Sequence, residues 1–381
     1  MDKICDYNEC SGCACCVAVC PKKCIKLLPD NNRCGHIYPV IDNSICINCR
    51  LCEKTCPVNH STHFSNPKKA FAAYALDDVV CNNSSSGGLA YSLGRAIIET
   101  GGVVYGSIVE FGDNFSIHHY NCSDLIELKR TQGSKYVHSE VKRVIYEHIK
   151  QNLVNGNKVL FVGTGCEVDG VRNYLRKDYP NFYAIDIICH GVPSFQLLKD
   201  YLSHKYDITE IKKLSFRGKN GFDLDGVYGV RGIRIYRPLK NNLYMMGFMK
   251  GLYYRDACYS CHYARKERCG DLTLGDFWGL KKSISPENRT SSGTSVVLVN
   301  TTKGEELLNS VRAHLRIEER PIEEAVAGNP QLRCPSKRHY ASNLFKKLYP
   351  SIGFISAARL CLIREKIFYA YALPIIQKLR K

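Results

Sequence analysis

The run Ala70-Phe-Ala-Ala-Tyr-Ala-Leu76 has the length and apolar content of a buried strand. Ser84-Ser-Ser-Gly-Gly88 follows it. Leu89, Leu93, Ala96 and Ile97 then recur at helical spacing until Gly101-Gly102 stops the pattern. Val103–Val109 reads as the next strand. Lys158–Val162 opens a second strand–helix unit through Gly163-Thr-Gly165-Cys166, and Phe182–Ile188 is a further buried strand ending at Cys189-His190-Gly191. Strands alternating with helices predict an α/β arrangement. Residues 209–244 are richer in strand formers, so the expected class is α/β, α+β overall. His60–Lys69 is polar and reads as a linker. The expected divisions are 1–60, a linker 61–69, then 70–150, 151–330 and a tail 331–381.

The segment before this body follows another rule. One spacing occurs twice: Cys10-x2-Cys13-x2-Cys16-x3-Cys20-Pro21 and Cys46-x2-Cys49-x2-Cys52-x3-Cys56-Pro57. Three thiolates on a tight loop plus a more distant fourth is the bacterial-type ferredoxin run for two [4Fe–4S] clusters, the fourth cysteine serving the other cluster. Cluster one is expected on Cys10, Cys13, Cys16 and Cys56, and cluster two on Cys46, Cys49, Cys52 and Cys20. Each proline fixes φ where the chain turns away. A zinc site would be built from CxxC pairs. A disulfide scaffold would be short, secreted and preceded by a signal peptide. This chain of 381 residues and 21 cysteines starts Met-Asp-Lys-Ile-Cys without an apolar leader, so the expectation is a protein of the reducing cytoplasm.

The formal charge of +17 is uneven: residues 331–381 hold eleven Lys/Arg against the single acid Glu365. Thiolates bound to clusters lower the remainder further. Neither a helix-turn-helix signature nor an RNP aromatic motif is present, so nucleic acid is not an expected partner. No run of about 18 apolar residues occurs, which predicts no transmembrane helix. The tail sets Leu344, Leu348, Ile352, Ile355, Leu362, Ile363 and Ile367 among its cations, the pattern of a basic helix. Such a helix can rest on anionic lipid at the inner face of a membrane, on an acidic partner, or on the protein itself.

Six segments in order add to this: Ser85-Ser-Gly-Gly88, Gln132-Gly-Ser-Lys-Tyr136, Gly163-Thr-Gly-Cys166, Cys189-His-Gly-Val-Pro-Ser194, Cys258-Tyr-Ser-Cys261 and Gly270-Asp-Leu-Thr-Leu-Gly-Asp-Phe-Trp278. Together they resemble the coenzyme F420 hydrogenase/dehydrogenase beta-subunit family, in the subgroup with a fused N-terminal ferredoxin domain, over roughly residues 1–310. The resemblance implies a mixed α/β domain that holds FAD within 70–150 and a third [4Fe–4S] cluster within 151–330. Cys166 and Cys189 stand where predicted strands end, at the usual ligand edge of an α/β sheet, and Cys258/Cys261 form a CxxC; with the resemblance, these four are the expected ligands. Where the family has Pro-Cys-Gln, this chain has Gly165-Cys166-Glu167.

For FAD, the resemblance points to Ser85, Ser86, Gly87 and Gly88, whose backbone donors precede a helix, and to Gly133, Ser134, Lys135 and Tyr136. Lys135 is expected near the flavin N1/O2 edge, where a cation stabilises the reduced ring. His190 is expected to donate to a cluster sulfur, to shuttle a proton, or simply to pack. Gly163-x-Gly165-x4-Gly170 has the wrong spacing for the dinucleotide fingerprint. Asp271, Asp276 and Trp278 are expected in a buried turn without chemistry. His118, His119 and His138 share no metal-ligand spacing. Cys5, Cys15, Cys24, Cys34, Cys81, Cys122, Cys269, Cys334 and Cys361 complete no ligand set, with Cys269 the best spare.

The expected function is an iron–sulfur flavoprotein oxidoreductase moving electrons between ferredoxin-type clusters, FAD and an F420-like or other organic acceptor. The alternative is an electron-transfer subunit that relays to a partner enzyme without a substrate of its own. Either needs an electron-donor or acceptor protein; the first also needs a small-molecule redox substrate.

Overall fold

The computed structural model describes residues 3–61, 64–218, 221–280 and 293–369. Its strands are β1 (Ile25–Asp30), β2 (His36–Ile41), β3 (Lys69–Ala75), β4 (Val103–Glu110), β5 (Ser116–Cys122), β6 (Val159–Thr164), β7 (Phe182–Ile187), β8 (Ile211–Ser215), β9 (Leu224–Tyr228), β10 (Ile233–Arg237), β11 (Leu272–Asp276), β12 (Ser295–Val299) and β13 (Leu315–Arg320). Eight of them form one mixed sheet in the order β13-β3-β12-β11-β7-β6-β4-β5. The centre, β11-β7-β6-β4, is parallel, and β12 and β5 pair antiparallel on its two sides. Strands from both sides of residue 150 therefore share one sheet.

β6 and β7 are continuous apolar runs because helices cover both faces of the sheet. Val159, Leu160, Phe161, Ala184 and Ile185 are fully buried. On one face the helix Leu89–Glu99 sets Leu89, Leu93 and Ile97 against Val104, Leu160 and Ile185. On the other, the helices Arg143–Val154 and Gly165–Leu175 set Ile145, Ile149, Val168 and Val171 against Tyr105, Phe161 and Phe182.

The N-terminal unit, with the β1–β2 hairpin and the short helix Cys15–Val19, lies on this second face. Cys13, Ala14, Cys15 and Ala18 join the same core cluster. Arg143 donates to the carbonyls of Val17 (3.1 Å) and Cys20 (2.8 Å), and the Tyr146 hydroxyl donates to that of Cys13. Gly170 allows the close approach: a Cβ there would stand 3.1 Å from that of Cys13 and 3.0 Å from the Tyr146 hydroxyl.

β8–β10 form a separate three-stranded antiparallel sheet. It shares a core with the helix Leu243–Met249 and the C-terminal helix Ser342–Cys361. The C-terminal helix bends at Gly353 (φ 72°), and Phe345, Tyr349, Phe354, Ala357, Ala358 and Cys361 are buried. Of the expected tail pattern, Leu362 is fully buried and Leu348 and Ile355 pack against the core, whereas Leu344, Ile352, Ile363 and Ile367 are exposed. The helix thus rests on the protein itself, and Arg338 and Lys346 pair with Asp256. Residues 370–381 lie outside the described residues. No described helix is long and apolar enough to cross a membrane.

Candidate functional site

The two N-terminal sets assemble as the spacing requires. The Cys13 thiol feels the charges of Cys16 and Cys56, and Cys16 those of Cys10 and Cys56. Cys52 feels Cys20 and Cys49, while Cys24, 3.4 Å from Cys20, feels Cys46. Cys16 also senses Cys52, so the two sets are neighbours. They differ in exposure: Cys49 is exposed and Cys46 half-buried, whereas Cys10, Cys13 and Cys56 are buried. The Cys5 thiol, donating to Cys10, pulls the Cys10 thiol down to about 6, and the charge of Arg255 adds to this.

The third set is brought together by the sheet. Cys166 starts the helix after β6, Cys189 follows β7, and Cys258 and Cys261 frame the turn Asp256–Ser260. Cys166 feels Cys261 and Cys189, Cys189 feels Cys258 and Cys261, and Cys258 feels Cys261. Burial raises all four thiols, Cys258 to about 12. Loading iron must therefore drive off their protons. Among the described residues no three His, Cys, Asp or Glu close on one point that could hold a metal ion. The sets are thus wider than a zinc cage, where each sulfur stands about 2.3 Å from a single centre.

The departure at Gly165-Cys166-Glu167 has a local cause. Thr164 and Glu167 form a capping box, the Glu167 carboxylate accepting from the Thr164 N–H at 2.7 Å. A Cβ on Gly165 would meet the Tyr263 ring at 2.9 Å. Gly191 is held at φ 132° against Tyr254, where a Cβ would meet the ring at 2.5 Å, so the turn after Cys189 requires glycine.

A cavity of about 300 Å3 opens at the carboxyl ends of β6, β7 and β11. Ser85, Ser86, Gly88, Gly133, Ser134, Lys135 and Tyr136 line it, as do Cys189 and His190. Its two serine–glycine segments touch: the Ser134 N–H donates to Ser85 Oγ at 2.6 Å, and Gln132 donates to Ser84 Oγ at 3.2 Å. Ser86 Oγ and Ser107 Oγ are buried without a partner among the described residues, and both residues line the cavity. Across Ser84, Ser85 and Gly133–Lys135 the cavity adjoins an open groove of about 1400 Å3 that carries Arg95, Lys129, Lys213, Arg217 and Arg234.

Individual residues refine the expectations. Gly87 is outside the cavity lining; its N–H is bonded to Ser295 Oγ, and a Cβ would meet the Ala73 carbonyl at 2.4 Å, so it serves packing against β3. The Lys135 ammonium is bound by the carbonyls of Thr131 (2.7 Å) and Gln132 (3.1 Å), just past the helix Leu125–Arg130; burial pushes it down to about 7, against the pull of those carbonyls. Burial also lowers His190, whose carbonyl accepts from Ser336. Asp271 is buried and accepts from the Ala184 N–H and Arg172, as a structural turn should, but Trp278 is 41% exposed, because it stacks on Phe222 at the cavity mouth instead of entering the core. His119 is a packing residue: its ring stacks on Phe161 and bonds to Ser139 and the Val162 carbonyl. Gly170 serves the Cys13 contact. Ser107 and Arg255 belong to no motif, so nothing in the sequence singles them out.

Residues 156–325 match the family of the C-terminal part of the coenzyme F420 hydrogenase/dehydrogenase beta subunit, and residues 9–60 match the 4Fe-4S dicluster domain. An uncharacterized protein of Methanocaldococcus jannaschii, MJ1349, is 25% identical over 346 residues, covering 80% of this chain and 87% of its own. Among solved structures, one from a xenon-derivatised F420-reducing [NiFe] hydrogenase complex of Methanosarcina barkeri aligns with a TM-score of 0.46 and 17% identity, over 70% of this chain and 90% of its own. The chain joins a 4Fe-4S dicluster domain, which supports two [4Fe–4S] clusters, to the C-terminal domain of the beta subunit, and is an iron–sulfur oxidoreductase subunit of the coenzyme F420 hydrogenase/dehydrogenase family.

Proposed function

We propose that this chain is an iron–sulfur flavoprotein that exchanges single electrons with a partner protein at its N-terminal unit and electron pairs with a small organic acceptor or donor at the cavity. The observation that carries the reading is that Cys189 and both serine–glycine segments line one cavity. Cys10, Cys13, Cys16 and Cys56, then Cys46, Cys49, Cys52 and Cys20, hold the two N-terminal clusters in this reading, and Cys166, Cys189, Cys258 and Cys261 hold a third. The sets run from the exposed Cys49 inward to the buried Cys13 loop and on to Cys189 at the cavity wall.

The residues around the cavity fit FAD. Ser86 and Ser107 offer unpartnered hydroxyls to the polar edge of the ring. Lys135 supplies positive charge beside it, and Tyr136, Phe222 and Trp278 supply aromatic faces. The cations of the adjoining groove suit the pyrophosphate. When bound, a flavin couples one-electron carriers to two-electron chemistry. His190, in the same wall, is the group we assign to proton delivery. The thiols require a reducing compartment, the cytoplasm.

The test is anaerobic purification with iron and flavin counts. About twelve irons, from three four-iron clusters, and one flavin per chain are expected. Absence of flavin after gentle reconstitution overturns the flavoenzyme reading. Turnover of F420 or another small acceptor by the isolated chain separates it from a pure electron relay.

A further inference from the structure

Arg255 is the largest fully buried side chain described, with 0% exposure. It lies three residues before Cys258, and its backbone carbonyl accepts the Cys258 N–H at 2.9 Å. Its guanidinium crosses to the N-terminal unit, where Nη1 donates to the Cys10 carbonyl (3.2 Å) and Nη2 to the Ile37 carbonyl (2.8 Å), with the Tyr38 ring 4.7 Å from its carbon. The cluster-one loop is shaped around it: a Cβ on Gly12 would stand 2.7 Å from Nη2.

No carboxylate pairs with this cation among the described residues. The adjacent Asp256 is turned away and taken by Arg33, Arg338 and Lys346. The other titratable groups beside it are His36 and His138, which its charge and their burial keep neutral. Arg255 Nε has no acceptor at all among the described residues. A buried cation without an anion is costly. The groups near it that become anionic are cysteine thiolates: its charge acts on both Cys10 and Cys258.

We infer that Arg255 is the shared counter-ion of the cluster-one loop and the third cysteine set, and that its fixed charge raises the redox potential of both. The inference rests on the reading that these cysteines hold clusters. Transfer between the two sets moves one electron and neither makes nor breaks a bond. The guanidinium keeps its charge throughout, so it favours the reduced form on either side and offers both sets the same bias. Cluster two, beyond cluster one, lies outside this influence.

The test is a potentiometric titration of the anaerobic holoprotein, followed by electron paramagnetic resonance, on wild type, Arg255→Gln, Arg255→Met and Arg255→Lys. In the neutral variants the reduced-to-oxidised ratio of cluster one at a fixed ambient potential should fall about tenfold, a downward shift of about 59 mV for a one-electron couple. The third cluster should move the same way and cluster two should stay. Arg255→Lys should remain close to wild type. Unchanged cluster-one potentials in an iron-replete neutral variant overturn the inference, and so does an equal shift in Arg255→Lys. If both neutral variants lose iron while Arg255→Lys keeps it, the charge is what the clusters need. Iron loss in all three makes Arg255 a strut only and overturns the inference. An iron count near eight in wild type, by contrast, defeats the third-cluster reading and leaves the cluster-one shift to be measured.

Discussion

The N-terminal cysteine sets and the third set reach similar arrangements by different means. Eight cysteines between positions 10 and 56 are placed by loop spacing, and two loops exchange their fourth ligands. The four of the third set span positions 166 to 261 and meet because β6 and β7 are adjacent and parallel, so that the segments following them open at one sheet edge. The first kind of site depends on a few turns. The second depends on the register of a buried sheet, and it should fail when the sheet is weakened.

The largest test of that difference is Cys189→Ala. Iron should fall from about twelve to about eight per chain, with both N-terminal signals retained; loss of all iron would show that the two kinds of site are not independent. Next comes the ion pair under β7, where Arg268 and Asp186 are 3.0 Å apart with side chains 2% and 0% exposed. Arg268→Met leaves Asp186 uncompensated and should cost about 3–5 kcal/mol. In denaturant, the third-set chromophore should disappear before the N-terminal ones. Gly170→Val pushes a side chain into Cys13 and Tyr146 and should cost about 1–3 kcal/mol. Here the resonance of cluster one should change while the third set is spared.

Smaller effects sharpen the reading of the cavity. Ser86→Ala removes an orphaned hydroxyl, so the flavin-free protein should keep or slightly gain thermal stability. Flavin affinity should nonetheless weaken by about 0.5–1.5 kcal/mol, or about two- to tenfold. An unchanged Kd would remove Ser86 from the site. The smallest effect is on pH dependence. Burial lowers the pKa of His119 in the folded chain. As pH falls below about 6.5 the unfolded chain takes up the proton first, and stability drops. Above that range the contribution is fully present. His119→Gln should therefore flatten the acid side of the stability profile.

The central strands were legible because they are buried on both faces and carry unbroken apolar runs: Ala70–Leu76, Val103–Val109, Lys158–Val162 and Phe182–Ile188 each fall within a residue or two of β3, β4, β6 and β7. β5 was hidden by His118 and His119, whose polarity is absorbed by local partners that no pattern announces. Glycines were the least readable. Gly87, in a motif that suggests phosphate binding, is required by a strand carbonyl, and Gly170, in a near-fingerprint, by a cysteine loop. Arg255 was invisible for a related reason: its carbonyl partners lie 245 and 218 positions away. Local spacing reveals groups that act together along the chain, whereas a charge shared between domains has no local signature.

The exposure of Cys49 has a consequence for survival in air. Dioxygen and peroxides attack cysteine sulfur where they can reach it, and here they reach the outer set well before the Cys13 loop, which lies sealed against the helix Gly165–Leu175. Brief aeration should bleach cluster two first and disconnect the protein from its redox partner while the interior centres are still intact. The outermost cluster then acts as a fuse, and rebuilding four irons would restore the whole chain.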